Sequence, residues 1–220
     1  MSKTIIFDTE ATGIKEPVLI EAAWVELASI EPFTITSPFV QRYNPGKLIT
    51  LGALAIHHIM DEELVNCPPA ASFTLPGHVD YIIGHNVDFD WEVIGKPEIK
   101  RICTLALARK LWPDLDSHNQ SALMYYLERA TAREQLRNAH SALVDVGICA
   151  VILDHICQQL DVKTVEELYG ESEKARTPTT MPFGKHKGIL LADVPSDYKQ
   201  WLLTQGDIDP YLRKALEGLT

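Results

Sequence analysis

The first third of the chain alternates apolar and polar positions with a strand-like period, and helical spacing takes over after it. "TIIFDTE" (4–10), "VLIEAAWVELAS" (18–29) and "FTITSPFVQRYN" (33–44) are rich in β-branched and aromatic residues. They predict three consecutive strands joined by short turns. "LGALAIHHIMDEELVNCPP" predicts short helical turns that stop before a proline pair. "VDYIIGHN" predicts a short apolar strand, "FDWEVIGKP" a helix start, and "IKRICT" a fifth strand.

Helices follow. "TLALARKLWP" sets Leu105, Ala108 and Leu111/Trp112 at helical spacing, and "NQSALMYYLERA" does the same with Leu123, Tyr126 and Leu127. The strongest stripe is Leu143, Val146, Ala150, Leu153 and Cys157 in "HSALVDVGICAVILDHICQQL", with Ser141 as the expected N-cap. Strands first, then strands alternating with helices, predict an α/β sandwich on a mixed sheet. "GESEKARTPTTMP" is polar and turn-rich and reads as a linker. The expected organisation is a main domain over 1–166, a linker over 167–179 and a small module over 180–220. In that module "FGKHKG" suits a hairpin, and "PSDYKQWLL" and "DPYLRKALEG" suit two short helices. The second has Asp209 as cap and Pro210 at its first position. About forty residues without metal or disulfide form a marginal fold. The module is therefore expected to dock on the main domain or on a partner, which can be a second copy in a homodimer.

Composition narrows the class. At 220 residues and 46% hydrophobic content the chain reads as a soluble globular protein, with no signal peptide and no apolar run of membrane length. Cys67, Cys103, Cys149 and Cys157 lack paired spacing and read as buried thiols of a cytoplasmic protein, neither a disulfide frame nor a zinc site. The net charge of −10 argues against a protein that coats nucleic acid nonspecifically. Local basic runs remain at 96–110 and 174–188, and either can be a solvated face.

Carboxylates change the picture. In a strand, Asp8 and Glu10 share one face with Ile6. Like charges so placed repel unless a cation lies between them. A polar strand end meeting solvent is the plain alternative. Asp90 follows a short buried strand in "GHNVDFDW", with Asp88 as its competitor, and "HSALVDVG" puts His140 just before a helix and Asp145 in its first turn. His85 reads as a near-core histidine with its ring satisfied. Sheet strands and a helix packed on them can bring Asp8, Glu10, Asp90, His140 and Asp145 to one edge. Four carboxylates together require cations, and an all-carboxylate donor set without thiols suits Mg²⁺ or Mn²⁺ over zinc.

The ordered motifs "FDTEATG", "HNVDFD" and "HSALVD" resemble those of the DEDDh (DnaQ-like) 3′–5′ exonucleases over roughly residues 3–160. "ICTLALARKLWP", "MPFGKHKG" and "DVPSDYKQWL" point to one branch of that family. The resemblance implies a ribonuclease H-like α/β fold, a mixed five-stranded sheet flanked by helices with a small C-terminal α+β module. It implies hydrolysis of DNA phosphodiester bonds from the 3′ end, with release of 5′-mononucleotides, in repair or recombination. The implied substrates are single-stranded DNA or DNA 3′ ends, with no membrane involved. Two Mg²⁺ or Mn²⁺ ions per site are implied. Asp8 would bridge them, Glu10 and Asp145 would complete one, and Asp90 would help hold the other through water. His140 would take the proton of the attacking water, work suited to an imidazole near neutral pH.

Substrate contacts are implied for the backbones of Ala11 and Thr12, for His57 in "AIHHI", and for Asn86, which with Phe89 also supports the site. Ala11 stands where many relatives carry Thr. His58 stands where Gly is usual, which predicts a different loop if that Gly needs a positive φ. Lys185 and Lys187, flanking His186 at the hairpin tip, either grip phosphates or form a solvated turn. The alternatives are an RNA-trimming enzyme or a polymerase proofreading subunit. A noncatalytic binding module would have lost an acid or the histidine, and none is lost.

Overall fold

The computed structural model describes residues 3–36 and 38–219, save the side chain of Asn138. The chain divides into two compact units, one ending at Ser172 and the other starting at Glu173. The first is built on β1 (Thr4–Ala11), β2 (Leu19–Ser29), β3 (Thr34–Ile35), β4 (Phe39–Arg42), β5 (Tyr81–Gly84) and β6 (Lys100–Cys103). Spatial order is β3-β2-β1-β5-β6, with β4 also paired to β2. Strand β1 runs antiparallel to β2 and parallel to β5, and β5 runs parallel to β6, so the sheet is mixed as expected. It has six strands rather than five, because "FTITSPFVQRYN" breaks into β3 and β4. Ser37, in that break, lies outside the described residues.

Alternation along β1 separates packing from chemistry. Ile5 and Phe7 are fully buried in a cluster with Leu19, Ala22, Tyr43, Ile82, Val87 and Cys103, against which Trp24, Phe73 and Trp91 pack. Each such aliphatic or aromatic side chain contributes roughly 1.5–3 kcal/mol on burial. Ile6, Asp8 and Glu10 point to the other face. A glycine closes the sheet where β5 turns: a Cβ on Gly84 would lie 3.1 Å from the Phe7 carbonyl and 3.2 Å from the Val87 side chain.

Ten α-helices are present among the described residues. Those of the first unit are α1 (Leu51–His57), α2 (Asp61–Leu64), α3 (Val87–Val93), α4 (Thr104–Leu111), α5 (Gln120–Leu127), α6 (Ala132–Gln135) and α7 (Ala142–Leu160), with α8 (Val165–Arg176) crossing the division. By length and composition α7 could cross a membrane, which corrects the expectation that no apolar run is long enough. Here it is a core helix that packs on β1 and β2 and buries Val146, Ala150, Leu153 and Cys157, while Leu143 is half-buried. Cys103, Cys149 and Cys157 are buried as expected, and Cys67 is half-buried. Residues 167–176 of the expected linker are helical, as part of α8. Glu167 accepts hydrogen bonds from the Lys163 and Thr164 N–H groups, and Ser172 Oγ accepts one from the Cys103 N–H at 2.9 Å.

The second unit holds α9 (Ser196–Leu203) and α10 (Pro210–Glu217) around Met181, Leu191, Val194, Leu202, Leu212 and Leu216. Asp209 Oδ1 caps α10, accepting from the Tyr211 and Leu212 N–H groups at 2.9 Å each. Arg213 donates to the Leu203 and Gln205 carbonyls at the end of α9. The expected hairpin is a single antiparallel bridge, Thr180 to Leu190, around a 3-10 turn at Gly184–His186.

Candidate active site

Three elements deliver the acids. Strand β1 presents Asp8 and Glu10 from one face, the first turn of α7 presents Asp145, and a carboxylate oxygen of each lies within 4.8 Å of the others. Asp90 reaches β1 from α3, on the opposite face. It is buried, and its Oδ1 accepts from the Thr9 N–H at 2.9 Å and the Thr9 hydroxyl at 2.7 Å. The competitor Asp88 instead pairs with Arg101, whose guanidinium stacks 3.8 Å over the Trp91 ring.

No cation balances these charges among the described residues, and the electrostatics shows it. Burial raises the Asp8 carboxyl well above its ordinary range, and the charges of Asp90, Asp145 and Glu10 raise it further. Burial, then Asp145 and Glu21, push Glu10 up to about 8. Asp90 is pushed up to about 7, burial outweighing the Thr9 hydrogen bonds that oppose it. Asp145 is raised by burial, and the His140 N–H, donating to its Oδ1 at 3.3 Å, pulls the other way. Four oxygen-donor groups in mutual repulsion fit hard divalent cations, which relieve the repulsion.

His140 lies directly before α7 with an exposed side chain and a left-handed backbone (φ 71°). A non-glycine residue held there stores about 1–2 kcal/mol of strain, a feature concentrated at functional sites. Ser141 holds the N-cap position but makes no side-chain capping bond. The capping acceptor is Glu21 on β2. Buried opposite Glu10, it accepts from the Ala142 N–H at 3.1 Å through Oε2 and from Arg42 Nε at 2.9 Å through Oε1. Glu21 therefore anchors the start of the helix that carries Asp145. The sequence reading passed over it, although a glutamate inside the apolar run "LIEAA" was a usable signal.

Known proteins resemble the chain in sequence and fold. Exodeoxyribonuclease 10 of Escherichia coli (strain K12) is 29% identical over 220 residues, with 96% of each chain covered. The DNA polymerase III subunit epsilon of Buchnera aphidicola subsp. Acyrthosiphon pisum is 32% identical over 165 residues, covering 65% of this chain and 68% of the relative. The chain belongs to the DEDDh, DnaQ-like 3′–5′ exonuclease family. A solved structure of exonuclease X in complex with 5′ overhanging duplex DNA superposes with a TM-score of 0.61 at 25% identity, over 77% of this chain and 99% of that one. E. coli exonuclease I with a dT13 oligonucleotide shares the fold (TM-score 0.56, 20% identity, 73% of this chain and 43% of that one). Residues 174–216 match a family described as "Putative quorum-sensing-regulated virulence factor", so the second unit carries a family likeness of its own.

Around the DEDDh acids, the remaining expected residues separate. His57 is buried at the end of α1. Its Nδ1 accepts from the Ile59 N–H at 3.0 Å, while Nε2 is buried without a partner. Burial lowers its pKa, and the Ala11 backbone pulls the other way, so ring and Ala11 are neighbours. Both Thr12 backbone groups are engaged internally: the N–H donates to the Val18 carbonyl and the carbonyl accepts from the Thr50 N–H, each at 2.9 Å. That engagement makes Thr12 a brace of the loop, and a Cβ on Gly13 would meet Thr50 Oγ1 at 2.8 Å in the same close approach. His58 takes the left-handed conformation itself (φ 58°, ψ 15°) and closes α1 on the Leu54 carbonyl. His58 thus adopts a conformation that glycine takes at lower cost. Asn86 is exposed and left-handed (φ 73°) at the start of α3. His85 is held by Thr104 at 3.0 Å and the His118 carbonyl at 2.8 Å, and burial lowers its pKa to about 4, so it is a neutral structural ring.

Proposed function

We propose that the chain is a 3′–5′ exodeoxyribonuclease that hydrolyses DNA from its 3′ end and releases 5′-mononucleotides through a site using two Mg²⁺ or Mn²⁺ ions. The observation that carries this is the convergence of Asp8, Glu10 and Asp145 within 4.8 Å beside buried Asp90, without a protein cation to balance them. Asp8, Glu10, Asp90 and Asp145 would hold the ions, which when bound supply Lewis-acid stabilisation to the attacking and leaving oxygens of an in-line displacement. His140 accepts the proton of the attacking water as its oxygen bonds to phosphorus. The bond to the 3′-oxygen of the preceding nucleotide breaks, and that oxygen leaves with the bonding electrons and takes a proton from solvent water, while His140 returns its proton to solvent. Ala11 and His57 receive the terminal nucleotide, while Asn86 and Thr12 support the loops around it.

A full-length match to exodeoxyribonuclease 10, spanning both units, favours a free-standing DNA enzyme, active in repair or recombination, over a proofreading subunit. The test is a 3′-tailed oligonucleotide labelled at its 5′ end, incubated with Mg²⁺, Mn²⁺ or chelator beside a matched RNA strand. A ladder shortening from the 3′ end of DNA, lost in chelator and in Asp8→Ala, is the expected result. Undiminished cleavage by Asp8→Ala overturns the metal assignment, and faster trimming of the RNA strand overturns the DNA assignment.

A further inference from the structure

Within the second unit, a turn and α9 bring Lys185, His186, Tyr198 and Trp201 together, Tyr198 being packed in part against the unit's core. Tyr198 and Trp201, one turn apart on α9, have ring centroids 5.4 Å apart at an interplanar angle of 37°. The His186 ring meets Tyr198 edge-on at 4.7 Å, and Lys185 Nζ stands 5.0 Å over the same ring. The turn is pinned there by Gly184, left-handed at φ 70°, where a Cβ would lie 3.0 Å from the Tyr198 hydroxyl. Trp201 is 52% exposed and Phe183 44%. Isolated exposed apolar side chains need no explanation, but two adjoining rings with a lysine held over one of them do.

Charge decides what the face suits. Residues 173–220 carry a net charge of +1, against −11 for residues 1–172. Lys185 and Lys187 are exposed and make no ion pair among the described residues. Protein-docking patches are depleted of lysine at their centre. Single-stranded nucleic acid asks for the reverse: aromatic faces on which bases stack, beside cations that follow the phosphates. We propose that Lys185, Lys187, Tyr198 and Trp201 form a grip for single-stranded DNA, separate from the acids that cut it. The proposal rests on the exonuclease reading only for the choice of DNA as ligand.

The experiment uses the full chain in excess chelator, so that binding is read without cleavage, with a fluorescein-labelled oligothymidylate of about 20 nucleotides, longer than a site of ~4–16. Trp201→Ala should weaken binding about tenfold, and Trp201→Phe, which keeps a ring, should restore most of it. The double variant Lys185→Ala/Lys187→Ala should flatten the slope of log affinity against log salt by about 1.4, at about 0.7 per phosphate contact. Hydrolysis of the p-nitrophenyl ester of thymidine 5′-monophosphate with Mg²⁺, a substrate with no strand for a grip to hold, should stay at the parental rate in all three variants. Parental affinity and slope in both Trp201→Ala and the lysine double variant overturn the grip. Failure of the parental chain to cleave ester or oligonucleotide strikes the exonuclease reading instead, and the chelator measurement still reports on the grip.

Discussion

In the nuclease unit Asp8 and Glu10 face a crowded site without a hydrogen bond among the described residues. In the C-terminal unit Asp209 spends one oxygen on two backbone N–H groups at the start of α10. The first pair costs the fold stability, because burial and repulsion both oppose ionisation. The second stabilises its helix, because the carboxylate meets donors that the helix leaves unsatisfied. Glu21 combines both situations: it caps α7 yet adds to the charge that raises Glu10. An acid's partners, more than its residue type, tell whether it serves fold or chemistry.

The sharpest test of that contrast is Asp8→Asn. Activity should fall to background, while thermal stability in chelator should rise, by about 2–4 °C for each kcal/mol of relieved repulsion. A lower melting temperature in chelator would break the comparison, since it would make Asp8 a structural acid. The same reasoning fixes a pH dependence. The folded chain keeps protons on Glu10 up to about 8 and on Asp90 up to about 7, whereas the unfolded chain releases them near the ordinary values of 4.5 and 3.8. The native state binds more protons across that window, so these groups make the metal-free protein lose stability as pH rises from about 4 to about 8. Urea midpoints in chelator should fall over that range, and Mg²⁺ should remove most of the fall. A smaller effect is expected at His140, which supplies no charge to hold a cation. His140→Ala should lower turnover about 10²–10⁴-fold and leave Mn²⁺ affinity, measured by calorimetry, close to parental; unchanged turnover removes it as the base.

How far the sequence carried this follows from the range of the interactions involved. Strand β1 and helix α7 are legible because their patterns are local and long, and the candidate acids because three short motifs carry them in order. What escaped depends on distant partners. Helix α8 buries Leu168 and Ser172 alone, too few to mark a stripe, and Ser172 meets its donor, Cys103, far away in sequence. Ser141 looked like the cap of α7, but the acceptor came from Glu21, 121 residues from Ala142. The left-handed turn at His58 is not legible from residue type, because a glycine preference states which residue is cheapest there, not which is possible.

The smallest expected effect completes the contrast from the other side. Asp209→Ala removes a carboxylate, as Asp8→Asn does, yet from a helix cap in a unit with no cluster of opposing acids. The α10 N–H groups lose their acceptor, at a cost of about 1 kcal/mol. Hydrogen exchange of α10 amides should accelerate about fivefold, while hydrolysis of a mononucleotide ester stays parental. Asparagine at the same position keeps an acceptor oxygen and should recover most of the protection. If Asp209→Ala instead slowed ester hydrolysis, the division of labour between acids that cap and acids that catalyse would fail. Removing a carboxylate would then perturb the site from either unit, and the C-terminal unit would belong to the catalytic apparatus itself.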